Sequence, residues 1–229
     1  MIKATYIDHM GSDLSVVNAA RVSFGKKSDW QHPSIGQESG LSDRDTKLVY
    51  YLAKHKHMSP FGHAFATFHV KAPMFVARQL VKHKFLRWNE ISRRYVDDEP
   101  EFYEPDVWRG RSESKKQGSD GEVELRGDSF GVGYEPWWGD GSLQDTTLFI
   151  YKDLLEQGVC PEQARMILPQ STMTEWYWSG SLDAFSDMCL LRCASDTQAE
   201  TQEVANQISH KMHELFPVSW MALGTGATP

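Results

Sequence analysis

Between residues 82 and 95 the chain reads Lys82-His83-Lys84-Phe85-Leu86-Arg87-Trp88-Asn89-Glu90-Ile91-Ser92-Arg93-Arg94-Tyr95. Its Lys and Arg side chains crowd there although the whole sequence carries a formal net charge of -7. A cluster of this type presents guanidinium forks and ammonium points to phosphate oxygens. Asn89, Glu90 and Ser92, set between the cations, add donors and acceptors suited to sugar hydroxyls and phosphate. The plain alternative is a solvated basic face. Against it, the pattern leading in is apolar, which places the cluster at the end of a packed element.

The bulk numbers restrict what the cluster can serve. With net charge -7, the surface as a whole does not attract a polyanion, so a phosphate site has to be a local concentration of cations. A nucleic-acid-binding module using the Trp-containing basic stretch is the rival reading, and the acidic total counts against it. No apolar run reaches the length of a membrane span. Met1 to Asp8 lacks the apolar core of a signal peptide, so a cytoplasmic location and no membrane partner are expected. Cys160, Cys189 and Cys193 form no C-x-x-C pair and are expected as reduced thiols. His55 and His57 are two apart, where a helical zinc pair needs three or four, and no H-E-x-x-H occurs, so no metal is expected.

The elements that must position the cluster are legible in outline. Ala4 to Asp8 reads as a first strand, and Asp13 as the cap of a helix carrying Leu14, Val17 and Ala20. Residues 25–42 read as a loop, after which Ser42 caps a helix with the stripe Leu48, Tyr51, Leu52. From His63 to Lys71 apolar Ala64, Ala66, Phe68 and Val70 alternate with the other face, a strand pattern. Pro73 suits the first turn of a helix, which Phe75, Val76, Leu80 and Val81 carry up to Lys82. Residues 105–142, rich in Gly, Ser and charge around Lys115 to Gly121, read as a long, mobile excursion, of a kind often functional in compact enzymes, within one domain spanning 1–229. The remainder is mostly helical: Leu143 to Glu156, a helix opened by Pro161, one ending near Arg192 after the strand Glu175 to Trp178, and a last one carrying Val204, Ile208, Met212 and Leu215. This mixed order predicts an α+β fold, with a central, mostly antiparallel sheet flanked by helices.

The stretch 82–95 resembles the signature of flavin-dependent thymidylate synthases: Arg-His-Arg, two residues, Ser, one residue, Asn-Glu, one residue, Ser, one residue, Arg-Tyr. His83, Asn89, Glu90, Ser92, Arg94 and Tyr95 match, Lys82 and Lys84 keep the charge of arginine, and Arg87 replaces the first serine. The resemblance extends in order through Asp8 to Asp13 with Asn18 to Phe24, Ser59 to His63, Phe68 to Pro73, Ala164 to Pro169 and Leu190 to Arg192. It implies a homotetramer with shared active sites that binds FAD, takes reducing equivalents from NADPH, and moves the carbon of methylenetetrahydrofolate to C5 of dUMP. By similarity, Ser59, Lys82, His83, Lys84, Glu90, Ser181 and Asp187 contact FAD, and His57 lies near the flavin and folate. Gln79, Lys82, Glu90, Ser92, Arg93, Arg94, Arg165 and Arg192 form the dUMP set, with Arg192 as the catalytic arginine on the uracil ring.

The chemistry fits those types. C5 of uracil is a weak nucleophile until negative charge develops at N3 and its flanking carbonyls, and a fixed guanidinium stabilises that form without giving up a proton. Such activation replaces a cysteine nucleophile, so all three cysteines are expected to be dispensable for turnover. Ser92 suits a phosphate donor better than a nucleophile, because it has no evident general base. Glu90 reads either as an ion-pair partner of Arg93 or Arg94, or as an acceptor for a sugar hydroxyl. The sequence departs from the family at Arg87, and at Ala194 and Asp196, where the family has an acidic residue and a histidine. Those departures leave a second alternative, a member that binds nucleotide and flavin without turnover.

Overall fold

The computed structural model describes residues 1–32, 39–96, 98–113, 119–123 and 143–225. Its central element is β2 (Phe65–Pro73), in which Ala66, Phe68, Val70 and Ala72 face inward with at most 1% exposure. Alternation at period two puts these four on one face, as the sequence predicts. β1 (Lys3–Met10) pairs with one edge of β2, and β6 (Met173–Ser181) with the other. β3 (Leu86–Glu90) closes the far side of β6, giving an antiparallel sheet in the order β1-β2-β6-β3.

Helices cover the inward face of that sheet, so the expected α+β arrangement is present. α1 (Asp13–Arg21) and α2 (Asp43–Lys54) come from the first third of the chain, and α3 (Met74–Leu80) follows β2 directly. α4 (Leu143–Glu156) and the short α5 (Pro161–Ala164) lead into β6, and α6 (Leu182–Arg192) leaves it. The last two are α7 (Ala199–Leu215) and α8 (Pro217–Ala222). Val204, Ile208 and Met212 of α7 are fully buried, as their spacing predicts, and pack with Phe68, Trp178 and Phe185 in the main core. No described helix is long and apolar enough to cross a membrane.

Several local expectations are corrected. Ser12, not Asp13, takes the N-cap position of α1. The Asp13 carboxylate instead accepts the amides of Val218 and Ser219 (2.9 and 2.8 Å), capping α8 from more than two hundred residues away. Its own helix does not need it, whereas the first turn of α8 has orphan amides to satisfy. On α2, Leu52 is buried and Leu48 packs against the core as expected, whereas Tyr51 is 52% exposed and Val49, fully buried, completes the stripe in its place. The helix opened by Pro161 turns 3-10 at Arg165–Ile167.

The basic stretch contains strand β3, which its charge density conceals. Leu86 and Trp88 alternate inward, and Phe85, at φ +65, provides the turn that admits them. Of the 105–142 excursion, the described part holds a hairpin of β4 (Arg109–Arg111) and β5 (Ser119–Glu122). The remainder, including Lys115 and Lys116, lies outside the described residues.

Candidate functional site

The ends of two helices meet beside the basic stretch. α3 stops at Leu80, and the following turn carries Lys82, His83 and Lys84, the two lysines exposed and the histidine half-buried. α6 stops at Arg192, which is 109 residues away in sequence yet donates from Nε to His83 Nε2 at 2.9 Å. The same guanidinium donates from Nη2 to the backbone carbonyl of Gln79 at 3.4 Å. The Gln79 side chain donates in turn to Gln198 Oε1 at 2.5 Å, at the N-cap of α7. Three helices are thereby tied at one point, and three of the predicted residues, Gln79, His83 and Arg192, are brought into contact.

The electrostatics follow from the geometry. Burial and then the positive Arg192 disfavour a proton on His83 and push its pKa down to about 4. The ring is therefore neutral at ordinary pH, with Nε2 as acceptor and the proton on Nδ1. Burial also lowers the pKa of Arg192, which stays charged.

β3 positions the second half of the stretch. Trp88 stacks on Trp176 of β6, with ring centroids 4.2 Å apart and planes 18° from parallel. Its indole Nε1 donates to Glu90 Oε2 at 3.1 Å, and Thr174 Oγ1 donates to Glu90 Oε1 at 2.7 Å. Glu90 is thus held by two neutral donors, and of the two readings open in the sequence the ion pair with Arg93 or Arg94 is not the one formed. Sequence reasoning missed Trp88 and Thr174 as its holders; the alternation of Leu86 and Trp88 was the available signal.

Beyond β3 the chain turns. Ser92 Oγ accepts from both the amide and Nε of Arg94 at 3.4 Å, and the Arg94 guanidinium lies 5.0 Å from the Tyr95 ring centre. Arg93 turns away, donating to the Asp98 carbonyl at 2.8 Å. Arg165 is exposed and, among the described residues, its side chain bonds only through Nε to the Glu162 carbonyl, at 3.3 Å. Among the described residues, no ion pair joins Lys82, Lys84, Arg87, Arg94 or Arg165 to a carboxylate, so these cations are available to an anion.

The other predicted residues make no described contact with the Arg192 cluster. Ser59 begins a 3-10 turn (Ser59–His63) and is exposed, and exposed His57 contacts the rings of Tyr51 and His55. Ser181 is the N-cap of α6. Asp187 lies one turn beyond Asp183 on that helix; burial first, and then Asp183, raises its pKa. Asp183 Oδ1 is buried with no hydrogen-bond partner among the described residues. Among the described contacts, none links Ser59, His57, Ser181, Asp187 or Arg165 to the Arg192 cluster. No group of three or more metal-ligating side chains occurs among the described residues.

With this geometry established, similarity to known proteins is informative. The profile of the family described as "Thymidylate synthase complementing protein" matches residues 5–218. The chain is 36% identical over 216 residues to the flavin-dependent thymidylate synthase of Thermus thermophilus, covering 94% of this chain and 73% of that one. It is 36% identical over 215 residues to the enzyme of the same name from Thermosipho melanesiensis, covering 92% and 85%. Among solved structures, the UMP/dUMP methylase PolB from Streptomyces cacaoi bound with 5-Br dUMP superposes with a TM-score of 0.70 at 29% identity, over 98% of this chain and 95% of that one.

Proposed function

The chain belongs to the thymidylate synthase complementing protein family, and from that premise we propose that it converts dUMP to dTMP as a flavin-dependent thymidylate synthase. Methylenetetrahydrofolate serves as carbon donor, NADPH as reductant and FAD as the resident cofactor. The observation that carries the reading is the meeting of Gln79, His83 and Arg192, with His83 in a stretch whose Lys82, Lys84, Arg87 and Arg94 no carboxylate of the described residues neutralises.

The donor set fits both nucleotides. Exposed Lys82, Lys84, Arg94 and Arg165 suit phosphate oxygens, and the unpartnered buried oxygen of Asp183 suits a donor from outside the chain. When bound, FAD supplies the hydride that completes the methyl group. Glu90, fixed by Trp88 and Thr174, accepts from a sugar hydroxyl, and Ser92 with Arg94 holds the dUMP phosphate. Arg192 lies against the N3 edge of uracil and stabilises the negative charge that makes C5 nucleophilic. Arginine keeps its proton throughout, so it acts by charge alone.

Arg165, Ser59, His57 and Ser181 have no described contact with the Arg192 cluster of the same chain. A homotetramer in which one site collects residues from several copies of this single domain, residues 1–229, would bring them to it.

The test is anaerobic addition of NADPH to the purified protein, followed by dUMP and methylenetetrahydrofolate. A flavin absorbance that bleaches, and dTMP formation that requires the folate, are the expected results. Arg192→Ala is expected to lower tritium release from C5-labelled dUMP by at least about 100-fold while bound flavin remains. Unchanged release would overturn the role of Arg192. Because the Streptomyces relative is named for both UMP and dUMP, UMP belongs in the same assay; a faster rate on UMP would overturn the choice of deoxynucleotide.

A further inference from the structure

A guanidinium offers two bidentate edges: the side edge, formed by Nε–H and one Nη–H, and the end edge, formed by the two Nη groups. In this protein the side edge of Arg192 is taken up internally, Nε by His83 Nε2 at 2.9 Å and Nη2 by the Gln79 carbonyl at 3.4 Å. Only the end edge is left for a ligand. We infer that His83 is a positioning residue for Arg192, its ring nitrogen fixing the guanidinium so that the end edge meets the pyrimidine. This inference rests on the role proposed for Arg192 and goes beyond it by giving His83 a task other than contact with the cofactor.

Two observations and a physical argument support the assignment. His83 sits in a short turn whose own amide is tied to the Leu80 carbonyl at 3.1 Å, so the ring is carried on fixed backbone. Gln79, which supplies the second acceptor, is itself held by Gln198. The Arg192 side chain would otherwise have several rotatable bonds to order at the moment of reaction, and prior fixing removes that cost from the transition state. An acceptor at Nε2 also obliges the ring proton to lie on Nδ1, where it remains free to donate to a bound group.

A double-mutant cycle on the flavin-loaded enzyme tests this, with tritium release from C5-labelled dUMP as the readout. His83→Leu removes the acceptor, and His83→Gln restores one close to the position of Nε2. His83→Leu is expected to lose about 10- to 100-fold in kcat, the range of a coupled pair, and His83→Gln to recover to within about threefold of the parent. Combined with Arg192→Ala, His83→Leu is expected to add no further loss. Equal losses in the Leu and Gln variants would overturn the proposal, as would multiplicative losses in the double variant. So would a His83→Leu defect wholly explained by lost flavin absorbance. If Arg192→Ala alone proved silent, the role of Arg192 would fall first and this inference with it; a severe Arg192→Ala with independent His83 effects would sink the positioning role alone.

Discussion

At the scale of residues, the site depends on protonation states as much as on identities. His83 has an ordinary pKa of 6.5 when unfolded, and burial beside Arg192 holds it at about 4 in the fold. Between those two values the unfolded chain binds a proton that the native chain refuses, so stability rises with pH across that window. This contribution is neutral above about pH 6.5 and destabilises increasingly as pH falls to about 4. Urea midpoints measured from pH 4 to 7 are expected to fall toward acid in the parent and to fall less in His83→Gln; identical slopes would contradict the assigned environment. The sequence identified His83, Gln79 and Arg192 through family likeness alone, as separate ligand contacts. Nothing in a linear reading joins them, because the bond between residues 83 and 192 exists only after three helices have packed. Glu90 shows the same gap: its two neutral donors, Trp88 and Thr174, lie on neighbouring strands.

At the scale of elements, β3 is the part that charge concealed. Strand alternation in Leu86 and Trp88 was present, but five residues interrupted by Arg87 and Asn89 gave a short signal beside a strong basic one. Gly180 shows how closely β3 approaches β6. A Cβ at that position would lie 2.3 Å from Leu86 Cδ2 and 3.2 Å from the Phe85 carbonyl. Gly180→Ala is therefore expected to destabilise by about 1–3 kcal/mol through overpacking, and to weaken activity by displacing Glu90. In a Leu86→Ala background the added cost should shrink to below about 0.5 kcal/mol, since the two sites share the contact. The same cost in both backgrounds, read from denaturant unfolding, would show that β3 does not sit where described. The apolar faces of β2 and α7 were legible, because each repeats its period over several turns or pairs, although β2 begins at Phe65 and runs through Pro73 rather than from His63 to Lys71.

At the scale of the molecule, the fold draws distant segments into one frame. Asp13 caps α8 near the C-terminus, and Arg109 of the β4–β5 hairpin pairs with buried Glu200 at the start of α7, which also accepts from Tyr103 at 3.3 Å. Glu200 lies two residues beyond Gln198, so the hairpin is anchored on the helix turn that holds Gln79 and, through its carbonyl, Arg192. The sequence marked residues 105–142 as an excursion but could not show this anchor, since an ion pair between positions 109 and 200 has no local signature. Nor could it show which of the predicted residues touch Arg192 within one chain. The most direct measurement is a crystal structure of the assembled protein with dUMP bound. The two Nη groups of Arg192 should lie about 3 Å from the N3 edge of uracil, with Nε still on His83 and the phosphate met by Arg94 and Arg165 of one or more subunits. A uracil ring seated away from Arg192, or an Arg192 that has left His83 to reach it, would contradict the account.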